Sequence, residues 1–306
     1  MSALLVVLAF SFAWSIGSHY TGACMGMPYA LGTVSARTAL ALMAPAALLG
    51  AWLLSGKVAQ TVGQRLVAAT PTVTGEVAIV AVAFAVTACY NRARIPTSTI
   101  QLLVGAVAGV AVGSGAGAHW RTIGILAAIW AAAPAVAAAA GFVLGSAFRA
   151  IGDVGPALVA VGCVASLAMG ANDVALASGA LVGAGVLDPR RAGLLCGVAL
   201  ALGVLLTGRR LLDRVAFDIV AVDRPTATAA QSVQALVVLV AVSAGYFTSM
   251  NQALVGAMAG ARPRAVDRRA FVAILRGWAV GPPATFTLGV IVALLLRATG
   301  ADLTHA

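Results

Sequence analysis

The sequence predicts an all-α integral membrane protein built from two copies of one unit. Three observations carry this expectation. Of 306 residues, 61% are hydrophobic and only 9% are charged, against about 25% charged in a soluble domain. Mean hydropathy is +1.02. Runs rich in Ala, Val and Leu recur at 38–55, 76–90, 121–148, 190–207, 231–247 and 271–296. Several reach the roughly 20 residues that cross a bilayer as a helix. Finally, landmarks in the first half of the chain return in the second at a nearly constant offset. A β-barrel would alternate polar and apolar residues over short strands, and these runs do not.

The offset can be read directly. Ile95-PTSTIQLLVGA and Tyr246-FTSMNQALVGA share Thr97/Thr248, Ser98/Ser249, Gln101/Gln252 and the Leu-Val-Gly-Ala tail, with 248 − 97 = 151. Pro71-TVT and Pro225-TAT lie 225 − 71 = 154 apart, and Leu49-Gly50 and Leu202-Gly203 lie 202 − 49 = 153 apart. Arg37 and Arg190 are also 190 − 37 = 153 apart. The division follows: residues 1–150 form a first transporter repeat and 151–306 a second. A duplicated membrane protein of this size points to a secondary transporter with inverted-topology repeats, a substrate near the bilayer midplane, and discontinuous helices meeting there. The expected total is roughly 10–12 membrane segments, counting half-helices.

Along the chain, residues 1–15 are apolar but lack a basic leader and a small-x-small cleavage site, so a first membrane helix is expected there and not a cleaved signal peptide. Cys24, Cys89, Cys163 and Cys196 lie singly in apolar segments and read as small packing residues, not disulfides or metal ligands. The net charge of +10 comes almost wholly from arginines between apolar runs, such as Arg209, Arg210 and Arg214, then Arg262, Arg264, Arg268 and Arg269. This is a topology signal. No aromatic-interleaved basic patch calls for a nucleic-acid partner. Segments 98–113 and 170–186 are apolar, short and glycine-interrupted. At matched places in both halves, they read as hairpins or half-helices that enter the membrane without crossing it.

Two constellations carry the chemistry. Gly170-ANDVALASG places Asn172 and Asp173 in a long apolar stretch. A carboxylate at bilayer depth costs about 2.5–3.5 kcal/mol on insertion scales, so it is expected to face a cavity, a cation or a proton. Asp188, Asp213, Asp218, Asp223, Asp267 and Asp302 are expected in loops, which leaves Asp173 as the acid enclosed on both sides. The second constellation is Ser98, Thr99 and Gln101, matched by Ser249, Asn251 and Gln252. Hydroxyls and amides at the start of a membrane half-helix sit beside free backbone N–H groups, at the partly positive end that binds oxyanions. The two sites complement each other: an anion beside Asp173 needs a cation between them, which is the logic of cation-coupled anion uptake. No structural metal and no organic cofactor is called for.

Gly170-ANDVALASG resembles the G-A-N-D-V-A-N-A signature of the inorganic phosphate transporter (PiT) family, and Pro96-TSTIQLLVGA resembles that family's P-V-S-T-T-H-A-L-V-G-A segment. The resemblance implies two inverted repeats, a membrane homodimer in the cell (plasma) membrane, and symport of phosphate, or in some members sulfate, with sodium or protons. Carried over by position, Asn172, Asp173, Ser98, Thr99 and Ser249 keep the family's residue types. Asn251, Gln101 and Gln252 are polar replacements. The first signature has changed: in register with Gly170-ANDVALASG stands Gly17-SHYTGACMG, with His19 and Tyr20 where the family has Asn and Asp. Coupling is therefore expected to use fewer sodium ions, or protons. His19, with an ordinary pKa of about 6.5, is a candidate proton site. The leading expectation is a phosphate symporter. A sulfate permease of the same fold, or a membrane sensor or assembly subunit that has lost transport, are the alternatives. An enzyme is not expected, because His19, His119 and His305 have no metal-ligand or catalytic spacing.

Overall fold

A computed structural model describes residues 1–92, 98–151, 154–210, 212–213, 222–262 and 268–305. The sequence landmarks Pro96, Thr97, Arg214, Arg264, Asp218 and Asp267 lie outside them. Regular structure among the described residues is helical, with only the isolated bridges Val67–Ala118 and Pro71–Thr304 besides. The chain begins with α1 (Ser2–His19), a π-helical turn (Gly22–Gly26) and α2 (Met27–Ala30). There follow α3 (Ala36–Leu54), α4 (Gly56–Gln64), α5 (Val73–Arg92), α6 (Thr99–Ser114) and α7 (Trp120–Ile151). The second half holds α8 (Gly155–Gly183), α9 (Pro189–Thr207), α10 (Arg224–Ser243), α11 (Met250–Ala261) and α12 (Arg268–Ala298). Among the described residues, eight helices are long and apolar enough to span a bilayer, while α6 is apolar but shorter. The protein is a multi-pass membrane protein.

Local signals fix the helix starts. Ser35 caps α3 by accepting from Thr38 N at 3.1 Å. Asp188 caps α9 from Arg190 N and Arg191 N at 3.0 and 3.1 Å, and Asp223 caps α10 from Thr226 N at 2.9 Å. These are N-cap bonds that satisfy otherwise orphaned amides. The acids expected in loops are thus partly helix caps at the membrane surface. Cys24 and Cys196 are buried, as packing residues should be, whereas Cys89 is exposed and Cys163 half-buried; all four are free.

Glycines set how the halves pack. A Cβ on Gly17 would lie 2.0 Å from Leu200 O, and one on Gly170 would lie 1.8 Å from Ala47 O. These contacts are images of each other, since 170 − 17 = 153 and 200 − 47 = 153. Gly203 on Trp14 O and Gly50 on Leu167 O repeat the pattern at 2.1 and 1.9 Å. The first helix of each half therefore packs on the second helix of the other: α1 on α9, and α8 on α3. The short helices do the same. Gly105 and Gly109 of α6 meet Pro282 O and Phe286 O of α12, while Gly256 and Gly260 of α11 meet Pro134 O and Ala138 O of α7. The repeats interlock, and small residues let the backbones approach as membrane helices require.

Directions follow from the same contacts. Gly63 of α4 packs on Gly179 and Gly183 of α8, and Leu66 O, just beyond α4, accepts from His119 N at 2.9 Å. So α6 ends, and α7 begins, at the Gly183 face of the molecule. Helix α7 runs to the opposite face, where α8 begins, and α11 runs parallel to it. Helices α6 and α11 therefore point in opposite directions, with their N-termini inside.

The glycine-interrupted segments differ from expectation in one respect. Residues 170–183 do not form a hairpin: α8 is unbroken over 29 residues. Gly170 and Gly179 are contact positions against α3 and α4, not breaks. Glycine is tolerated within membrane helices when it buys close packing. The interruption falls in the first half instead, where α1 ends at His19 and the π-helical turn follows. The half-helix expectation fits α6 and α11, at 16 and 12 residues.

Candidate functional site

The site grows from the middle of α8. Asn172 and Asp173 are fully buried. The Asn172 side chain works as a clamp. Its Nδ2 donates to Thr248 O at 3.0 Å, and its Oδ1 accepts from Thr248 N at 3.1 Å. A primary amide can pair with both backbone polar groups of one residue in this way, so it replaces a strand partner for the extended residues leading into α11. Trp130 Nε1 donates to Phe247 O at 3.1 Å and holds the same segment from α7. Asn172 Nδ2 also reaches Asp173 Oδ2 at 3.1 Å, and Asp173 Oδ1 has no partner among the described residues.

Around this pair, two half-helices begin. Ser98 precedes α6 in an extended conformation, φ −107 and ψ 108, and is buried; its hydroxyl makes no cap bond and has no partner among the described residues. Ser249 precedes α11, is buried, and accepts from Gln252 N at 3.3 Å. Gln101 Oε1, Thr248 Oγ1 and Gln252 Oε1 are likewise buried without partners among the described residues. Unsatisfied buried polar atoms in a native protein call for a reason, and a bound ion is one such reason.

Helix α1 supplies the fourth wall. The π-helical turn that continues it meets α8, with Cys24 Sγ 3.8 Å from Met169 Sδ. Four residues before Cys24 and four after Met169, Tyr20 faces Asp173, and it also faces Thr99 at the start of α6. Tyr20, which is in register with Asp173 at 173 − 20 = 153, thus sets a hydroxyl against that carboxylate. Beyond it, Gln231 of α10 donates to Cys24 O at 2.6 Å and pins the π-helical turn.

The sequence-predicted residues divide accordingly. Asn172, Asp173 and Thr99 come together through direct contact or through Tyr20, and Ser98, Ser249, Gln101 and Gln252 are buried on the two half-helix starts. Asn251 is half-buried on α11. His19 stands apart: it is exposed, and its Nδ1 lies 2.6 Å from Ser15 O one turn back on its own helix. Two residues were missed. Thr248 was visible only as a repeat landmark, and Tyr20 only as a loss. A further acid, Glu76, also escaped: it sits in α5, not in a loop, and is 3% exposed. Asp173 is therefore one of two buried acids among the described residues.

Chemically, the arrangement offers free N–H groups and hydroxyls at two oppositely directed helix starts, with one carboxylate between them. The first set suits an oxyanion, and the carboxylate suits a cation. Among the described residues no cluster of three or more His, Cys, Asp or Glu side chains could hold a metal ion.

Comparison with known proteins agrees with this layout. The sequence profile of the phosphate transporter family matches residues 16–155 and again 154–289. A sulfate permease of Bacillus subtilis (strain 168) is 30% identical over 226 residues, which cover 70% of this chain and 63% of that one. A probable low-affinity inorganic phosphate transporter of Mycobacterium tuberculosis (strain ATCC 25618 / H37Rv) is 27% identical over 292 residues, covering 84% of this chain and 67% of that one. The chain spans about two thirds of the length of the curated relatives it matches. A solved structure described as the sodium-dependent phosphate transporter superposes with a TM-score of 0.86 at 20% identity, covering 97% of this chain and 99% of that one. That likeness establishes the fold.

Proposed function

Because this chain belongs to the phosphate transporter family, we propose that it is a secondary active symporter that carries inorganic phosphate with sodium or protons across the cell membrane. The observation that supports this most is the convergence of the α6 and α11 starts, from opposite directions, on the buried Asn172–Asp173 pair. In this reading the repeats, 1–150 and 151–306, have inverted topology, and the anion sits between them at the membrane midplane. Ser98, Thr99 and Ser249 face the anion with the first amides of α6 and α11, and Gln101, Gln252 and Asn251 extend the polar lining. Asp173 holds the coupling cation. Asn172 positions the entry to α11 and, through its amide, the carboxylate.

With Tyr20 in place of an acid, one carboxylate and one phenol share the centre. Fewer cations are then needed to balance an incoming anion than two carboxylates would require. The proton option draws no support from His19, whose ring is turned to Ser15. A homodimer is part of the proposal, and cross-linking in native membranes tests it.

The functional test is uptake of radiolabelled phosphate by the full chain in proteoliposomes under imposed sodium or proton gradients. Saturable uptake driven by one gradient, and abolished in Asp173→Asn, is expected. Wild-type protein that takes up neither phosphate nor sulfate under either gradient contradicts the proposal and favours the sensor or assembly role. A second reading, sulfate as substrate, draws on the sulfate permease of Bacillus subtilis among the relatives. Competition by sulfate and arsenate against phosphate separates the two.

A further inference from the structure

Both half-helices open on the same four-residue pattern, Ser-x-x-Gln: Ser98 to Gln101 at the start of α6, and Ser249 to Gln252 at the start of α11. At a helix start this pattern ordinarily closes a capping box. The serine accepts from the amide of the third helical residue, and the glutamine reaches back to accept from the serine amide. Here the serine's bond is made once, from Gln252 N to Ser249 Oγ at 3.3 Å. The glutamine's bond is made in neither half. Gln101 Oε1 and Gln252 Oε1 have no hydrogen-bond partner among the described residues, although the two residues are only 6% and 3% exposed.

The position of the two glutamines sets where these oxygens lie. Side chains on a helix lean toward its N-terminus. A glutamine at the third position therefore overhangs the helix end, beside the amides that have no intrahelical partner. One unmade box would be a local irregularity. Its return 252 − 101 = 151 residues on, with a buried and unpaired oxygen each time, calls for a partner that the described chain does not supply. That partner must donate. Amides and hydroxyls at these ends serve an anion's oxygens, whereas a carboxamide oxygen only accepts. Beside a bound oxyanion, the donor at hand is the anion's own hydroxyl. Phosphate carries at least one P–OH group at neutral pH, and sulfate carries none.

We infer that Gln101 and Gln252 accept from hydroxyl groups of the bound anion, and so select a protonated oxyanion such as phosphate or arsenate over sulfate. The assignment rests on the reading above that the anion sits at the α6 and α11 starts. It adds to that reading the residues that tell one tetrahedral anion from another. A bound sulfate leaves both carboxamide oxygens buried, unpaired and facing further acceptors. Sites built to bond a substrate hydroxyl reject analogues that lack it by about 10⁴–10⁵. Turned by half a rotation, each carboxamide would donate instead, and sulfate would fit as well as phosphate.

Calorimetry on the purified full chain, at neutral pH with sodium present, tests this with four ligands. Phosphate and arsenate carry hydroxyls; sulfate and monofluorophosphate are tetrahedral dianions without one. Phosphate and arsenate are expected to bind within about tenfold of each other, and the other two at least about a hundredfold more weakly than phosphate. Sulfate or monofluorophosphate binding within about threefold of phosphate in the wild type overturns the assignment, whatever the variants do. In Gln101→Leu/Gln252→Leu the ratio of phosphate to sulfate affinity is expected to fall at least about tenfold. An unchanged ratio overturns the role of the glutamines, as it would if water or sodium met their oxygens. The single variants Gln101→Leu and Gln252→Leu give the same reading if the double variant fails to fold. Folded wild type that binds none of the four overturns the anion site itself, a failure distinct from equal binding of all four.

Discussion

The two halves of this protein are near copies in packing and unlike in chemistry. In the second half, α8 is continuous, Asn172 clamps the backbone before α11, and Asp173 waits beside it. In the first half, the matching helix gives way to a π-helical turn, His19 points outward, and a tyrosine fills the acid's place. Yet the glycine contacts that hold each half to the other are preserved pair by pair, from Gly17/Gly170 to Gly109/Gly260. Packing tolerates little change where backbones touch, while a polar pocket can exchange one donor or acceptor for another. Duplication thus preserved the frame and let the polar residues of the two halves become asymmetric.

The largest expected effect is at Asp173. On the proposed coupling role, removing the Asp173 charge forfeits about 3–5 kcal/mol, so Asp173→Asn should lower gradient-driven uptake a hundredfold or more in proteoliposomes. If uptake persisted near wild-type rates, the asymmetry would have no functional meaning.

Next come the twin glycines. Gly170→Ala and Gly17→Ala each push a methyl group into a carbonyl of the opposing helix, an overpacking strain worth about 1–3 kcal/mol. Both should lower the thermal midpoint of the detergent-solubilised protein by similar amounts. A large drop in only one would break the claim that the halves are equivalent in packing.

Asn172→Ala should act on one half alone. It strands the Thr248 N–H and C=O in a buried place, at about 1–3 kcal/mol for each group left unsatisfied. Weaker phosphate binding is expected together with faster proteolysis near 244–249, and unchanged proteolysis would show that Trp130 suffices to hold that segment.

Smaller still is Tyr20→Phe. Loss of one hydroxyl beside Asp173 and Thr99 should shift phosphate affinity by about 1 kcal/mol, or roughly fivefold. The smallest effect belongs to His19→Ala, whose pH profile of uptake should overlay that of wild type. A shifted profile would return His19 to the coupling machinery.

Much of this was legible in the sequence, for physical reasons. Apolar run length and a repeat offset report directly on membrane helices and duplication, and the structure bears out both. The polar residues before α6 and α11 were also visible, because Ser-Thr and Ser-Met-Asn-Gln starts are costly in lipid without a task. What could not be read was whether glycine bends a helix or seats another against it. Gly170 looks like a break in one dimension and is a contact in three. Glu76 was hidden for a related reason: it stands at the start of an apolar run after Thr and Gly, where an acid looks like a surface residue. Only the approach of Gly63 and Gly183 encloses it. Tyr20 was read as a deletion because the sequence cannot show that α1 carries it to Asp173.

The central claim is that an oxyanion at the α6 and α11 starts and a cation at Asp173 stabilise each other. Thermodynamic linkage makes that reciprocal: if the cation tightens phosphate binding, phosphate must tighten cation binding by the same factor. Phosphate titrations of the purified protein by calorimetry, at a series of sodium concentrations and pH values, measure it directly. The account predicts an affinity that rises at least about tenfold with one of the two cations in wild type, and a flat response in Asp173→Asn. An affinity indifferent to both cations in wild type, or a dependence that survives in Asp173→Asn, would contradict it.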